Sequence, residues 1–140
     1  MYARGAVLGL TRGATDAHLA RAVLESIAFE SWDLFHAMEE DAGVRIPQLR
    51  VDGGASRSRF LMQLQSDLLG CPVYRPECLE TTALGAAMLA GLAVGVWESR
   101  EELSAVWKTR TVYEPGEDSN CRQQLDKWHK AVSRCRSWEE

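Results

Sequence analysis

The chain has 140 residues, is 46% apolar and 26% charged, and carries a formal net charge of −4. This composition excludes a disordered tail and suits one domain or part of one, small for an enzyme that must build two substrate pockets. The acidic balance argues against a nucleic-acid binder, which would show a basic face, and the longest apolar run, Ala83 to Trp97, is too short and glycine-rich for a membrane span.

Met1 to Gly5 holds no long apolar stretch, so no secretory signal is expected. Ala6-Val7-Leu8-Gly9-Leu10 reads as a strand with no earlier local partner, and Thr11 to Ala14 as a turn. Thr15 can cap a helix with Asp16 in its first turn, running to about Ala42 with Gly43 as its stop. Leu24, Ile27, Ala28, Phe35 and Met38 keep helical spacing and predict a buried stripe. His18 and His36 on this helix read as structural or exposed rather than catalytic.

Leu49-Arg50-Val51-Asp52-Gly53-Gly54-Ala55 organises the middle of the chain. Leu49 and Val51 suit a mostly buried strand, and two glycines stop it. Ser56 is the expected cap of a helix carrying Phe60, Leu61, Leu64, Leu68 and Leu69, with Gly70 as its end. Two readings stay open. The glycines can make a tight corner and nothing else, or they can let an anionic phosphate reach the main chain at a helix N-terminus.

Pro72 to Pro76 reads as a second strand, kept short by its prolines. Thr81 or Thr82 can cap a helix of small residues, in which Gly85, Ala86 and Gly91 predict close approach of a neighbour. Ser99-Arg100-Glu101-Glu102 is a capping box for a short helix through Trp107. Lys108 to Asp118, with Pro115-Gly116, reads as a loop. The last helix places Leu125, Trp128, Val132, Cys135 and Trp138 on one stripe, with His129 beside it. Cys71, Cys78, Cys121 and Cys135 form no C-x-x-C pair, so reduced cytoplasmic thiols are expected and zinc is not. Alternation of strands and helices predicts an α/β sheet with helices packed on it.

Several stretches together resemble the carbohydrate kinases called the FGGY family. Gly5 to Leu10, then seven residues, then His18-Leu19 and Ala22-Val23-Leu24-Glu25, is similar to that family's second signature. Leu49 to Ala55 resembles its adenosine-side turn. Gly9 to Gly13, Leu61-Met62-Gln63, Gln65-Ser66-Asp67, Thr81 to Ala87, Leu89 to Gly95, Trp128 to Arg134 and Trp138 to Glu140 narrow the resemblance to the family's glycerol kinases.

The resemblance implies a ribonuclease-H-like, actin-like ATPase fold, of which residues 1–140 would be the C-terminal portion of the second domain, with the N-terminal domain elsewhere. It implies transfer of the γ-phosphoryl of ATP to glycerol with Mg²⁺, giving sn-glycerol 3-phosphate and ADP, in a cytoplasmic homo-oligomer. This portion would hold one side of the nucleotide and would be inactive alone. Carried onto this chain, the nucleotide contact falls on Gly54 and an adenine-side asparagine on Ser58, a shorter side chain with a single hydroxyl. Asp52 and Gly53 become supporting positions. The region after Gly116 resembles the docking site of a sugar-transport regulator in some bacterial members. A zinc-ligating glutamate there falls on Cys121, so that regulation is not expected. Another sugar kinase of the family, for a pentose or pentulose, and a non-catalytic truncated module are the alternatives.

Overall fold

Residues 5–106, 108–116 and 120–136 are described by the computed structural model. Helix α1, Asp16–Ala42, opens at Thr15 and closes at Gly43, whose φ of 66° is the left-handed conformation that glycine adopts without strain. At its N-terminus His18 does the work of a capping acid: its Nδ1 accepts the Thr15 N–H at 3.2 Å. The stripe is narrower than expected. Ala28 and Phe29 are buried, whereas Ile27 and Met38 remain exposed.

Strand β1, Leu49–Arg50, leads into a short 3-10 helix, Gly54–Arg57, and then into α2, Arg59–Leu69. Here the capping expectation is corrected. Ser56 lies inside the 3-10 turn and donates its hydroxyl to the Gly53 carbonyl at 2.7 Å. Ser58 is the N-cap of α2, and its Oγ accepts the Leu61 N–H at 3.2 Å. The inserted 3-10 turn, unseen in the residue pattern, moves the cap by two positions. Gly70 ends α2 in the left-handed region.

Strand β2, Val73–Pro76, pairs parallel with β1 in the register Leu49↔Val73. Helix α3, Thr81–Ala93, has Glu80 and not a threonine at its N-cap. Gly91 explains one of its small residues: a Cβ there would sit 2.2 Å from Cζ3 of Trp97. No such neighbour approaches Gly85. Helix α4, Arg100–Val106, follows a capping box whose Ser99 Oγ accepts the Glu102 N–H at 3.3 Å. Trp107 and Trp138 lie outside the described residues.

Two expectations fail. The stretch read as a loop from Lys108 contains strand β3, Thr109–Tyr113, antiparallel to β2 with Arg75 opposite Thr111. Its β-branched and aromatic residues suit a pleated edge strand. Conversely, Ala6 to Leu10 forms no strand, and Val7, Leu8 and Leu10 stay exposed. A strand exists through its ladder, and no strand lies beside this segment among the described residues. The sheet therefore runs β1-β2-β3.

Helix α5, Cys121–Cys135, completes the core. Ala28 and Phe29 of α1, Leu61, Met62, Leu64 and Leu68 of α2, Val73, Tyr113, Cys121 and Leu125 form one buried cluster. The Asp33 carboxylate ties α5 to α1, accepting from Trp128 Nε1 at 2.8 Å and lying 2.7 Å from His129 Nε2. Ser66, fully buried, places its Oγ 3.0 Å from the Cys71 carbonyl and 2.8 Å from that of Tyr113. Asp67 Oδ1 accepts the Gly116 N–H at 2.7 Å and so fixes the chain leaving β3.

Candidate functional site

Parallel strands β1 and β2 end at the same edge of the sheet, the edge at which open α/β sheets bind ligands. Asp52 and the two glycines lie there. Gly53 adopts φ 73° and ψ −179°, a conformation effectively restricted to glycine. Its N–H donates to the Leu79 carbonyl at 3.0 Å, and its own carbonyl accepts the Ser56 N–H at 3.3 Å. The corner is thus bonded on both sides.

Gly54 is different. It has no positive φ, and a Cβ built on it meets nothing within 4 Å. The unusual backbone of the turn belongs to Gly53. Gly54 presents open main chain at the start of the 3-10 helix, where the first N–H groups lack intrahelical acceptors. An anion or nucleotide can approach it without displacing protein.

Asp52 is exposed, and its Oδ2 accepts the hydroxyl of Thr81, the first residue of α3. This contact ties Asp52 to the start of α3. The spacing of 29 residues hid Thr81 as the partner. Ser58 stands on the same turn, with its oxygen accepting at the α2 cap and its hydroxyl proton able to donate outward. The structure thus brings Asp52, Gly53, Gly54 and Ser58 to one short turn.

Beside the turn lies an open depression of about 390 Å³, lined by Arg57, Arg75, Pro76, Glu77, Leu79, Glu80 and Arg110. Arg75 is half-buried, donating Nη1 to the Ser56 carbonyl at 3.2 Å and Nη2 to Thr111 Oγ1 at 3.1 Å. Among the described residues no group of three or more His, Cys, Asp or Glu side chains could hold a metal ion. His18 caps the N-terminus of α1, His36 stacks on Trp32 of the same helix, and His129 meets Asp33 at the α1–α5 contact. No helix among the described residues is long and apolar enough to cross a membrane.

A strand–glycine turn–helix at the carboxyl edge of a parallel pair places the turn where open α/β proteins bind their ligands. The model of the C-terminal domain of the FGGY family of carbohydrate kinases matches residues 2–94, and the chain belongs to that family. It is 56% identical to the glycerol kinase of Thermoanaerobacter pseudethanolicus and 53% identical to glycerol kinase 1 of Clostridium tetani. These alignments take in 100% and 99% of this chain but 28% of either relative, so the chain spans little more than a quarter of their length.

Among solved structures, the glycerol kinase of Plasmodium falciparum with ADP superposes with a TM-score of 0.80 at 32% identity, covering 96% of this chain and 27% of that one. The xylulose kinase of Lactobacillus acidophilus, with bound ligand, gives 0.71 at 26% identity, covering 95% and 27%. The fold is accordingly part of the actin-like ATPase class expected from the sequence.

Proposed function

We propose that this chain is the C-terminal portion of the second domain of an ATP:glycerol phosphotransferase. The reaction is glycerol plus ATP to sn-glycerol 3-phosphate plus ADP, with Mg²⁺, in a cytoplasmic homo-oligomer. The observation that carries the reading is the 56% identity to a glycerol kinase across the whole chain, against 26% to a solved xylulose kinase and 25% to a solved gluconate kinase.

In this reading Gly54 offers its main chain to the nucleotide and Ser58 faces the adenine side. Gly53 and Asp52 hold the turn, through the Leu79 carbonyl and the Thr81 hydroxyl. Phosphoryl transfer depends on positioning and charge stabilisation more than on covalent help from protein. This chain contributes positioning. Nothing in its sequence matched a catalytic base, and the glycerol pocket is assigned to the portion that relatives carry outside the match.

A coupled ADP-release assay tests the proposal, with glycerol, xylulose and gluconate as competing acceptors. The chain joined to that further portion should turn over glycerol with the highest kcat/KM, and the 140-residue chain alone should not turn over. A preference for xylulose or gluconate would favour another sugar kinase of the family. Turnover by the 140-residue chain, freed of host kinase, would overturn the division of labour.

A further inference from the structure

We propose that the depression beside the turn is a phosphate-binding subsite in which Arg57 and Arg110 grip the anion and Arg75 fixes the geometry. Three arginines line one open hollow of about 390 Å³. Arg75 brings them together. Its two bonds, to the Ser56 carbonyl and to Thr111 Oγ1, clamp the 3-10 turn against β3. Arg57 follows Ser56 and Arg110 precedes Thr111, so each clamp point sets an exposed arginine at the rim.

The charge arrangement is unfinished within the chain. Arg75 is half-buried, yet its hydrogen-bond acceptors are neutral and its remaining contact is the Tyr113 ring, 5.6 Å from Cζ. A desolvated cation with neutral partners gains from a nearby anion. Glu77 and Glu80 share the lining, but no carboxylate among the described residues lies within ion-pair distance of Arg57, Arg75 or Arg110. The forked donors of arginine match the oxygens of a phosphate. Such a group has two sources: the polyphosphate of a nucleotide lying on the turn, or a separate phosphorylated small molecule.

Inorganic pyrophosphate is the probe, titrated calorimetrically into the purified chain. Pyrophosphate carries no adenosine, so the subsite is tested apart from the kinase reading. Arg57→Gln/Arg110→Gln keeps both aliphatic stems and should weaken pyrophosphate binding about tenfold or more, the loss of about 1.4 kcal/mol. Arg12→Gln/Arg45→Gln removes two other exposed arginines, Arg45 lying before β1 at the opposite end of the strand from the turn, and should leave binding unchanged.

Circular dichroism melts of both double variants check the fold. If ADP displaces pyrophosphate, the subsite takes the nucleotide's own phosphates. If both bind together, it takes a separate phosphorylated molecule. Pyrophosphate held while ADP is not would support a subsite that works without the nucleotide, and would leave the proposed function to the coupled assay. Absence of pyrophosphate binding, or equal losses in the two double variants, would overturn the proposal.

Discussion

Gly53 and Gly54 are adjacent, and the structure gives them opposite duties that substitution can separate. At Gly53, φ 73° with ψ −179° is closed to side-chain-bearing residues even though no atom lies within 4 Å of a built Cβ. Gly53→Ala should therefore cost about 1–3 kcal/mol through backbone strain. For a domain of this size that lowers Tm by about 4–12 °C. At Gly54 the backbone is ordinary and the space is open. Gly54→Ala should leave stability unchanged or raise it by up to about 1 kcal/mol, by restricting the unfolded chain.

Its new methyl stands on the path to the main chain, so the effect should fall on the nucleotide. A clash of about 1.4 kcal/mol in the complex raises the Kd for ADP about tenfold, and Gly54→Val should raise it further. The assay pairs thermal melts with ADP titration on the same preparations of a polypeptide competent to bind nucleotide. Unchanged ADP affinity in Gly54→Val would refute the nucleotide reading and leave the turn as a corner. A Gly54→Ala melt as depressed as that of Gly53→Ala would refute the assignment of strain.

Gly91→Ala should lower stability by about 1–3 kcal/mol, read in a denaturant melt, because the new Cβ would lie 2.2 Å from the Trp97 ring. Asp33→Ala should cost about 1–3 kcal/mol and raise hydrogen exchange in α5, since it removes the acceptor of Trp128 and the partner of His129. Cys78 is exposed, whereas burial first and the Glu39 charge second push the Cys71 thiol up, so alkylation timed by mass spectrometry should reach Cys78 well before Cys71. Because the folded thiol of Cys71 has the higher pKa, its contribution to stability is complete below the unfolded thiol's pKa. It is lost as pH rises through the folded value, so alkaline melts of wild type should fall more steeply than those of Cys71→Ala. The 140-residue chain should self-associate in sedimentation, since Val7, Leu8, Leu10, Leu89, Val94 and Val96 expose apolar surface; a sharply melting monomer would contradict this.

Local chemistry was legible in the residues where it acts over a few positions. Thr15, Gly43 and Gly70 bounded helices as expected, and Leu49 with Val51 marked the strand entering the turn. The glycine turn between a strand and a helix could also be picked out, because two adjacent glycines end a strand, whereas Asp52 and Ser58 entered only through the family resemblance. What escaped was set by distant partners. Thr109–Tyr113 becomes a strand by pairing with β2, more than thirty residues earlier, and Pro115-Gly116 just beyond it favoured a loop reading. Ala6–Leu10 carried a strand's composition without a strand's neighbour. Ser56 and Ser58 are equally good caps in sequence, and only the 3-10 turn that takes in Ser56 chooses. The link from Thr81 to Asp52 and the bridge from Arg75 to Thr111 are tertiary facts.

The ties between the glycine corner and the start of α3 carry a mechanical consequence. Thr81 holds Asp52, and the Leu79 carbonyl holds the Gly53 N–H, so two successive residues of the corner are tethered to the segment that launches the helix. Helix α3 bears no charged side chain from Thr81 to Ala93, and Leu89 is 70% exposed. The corner and the first turn of α3 therefore share one set of bonds. A substitution that removes the Thr81 hydroxyl takes the partner of Asp52 with it, so it loosens the start of the helix and the corner together.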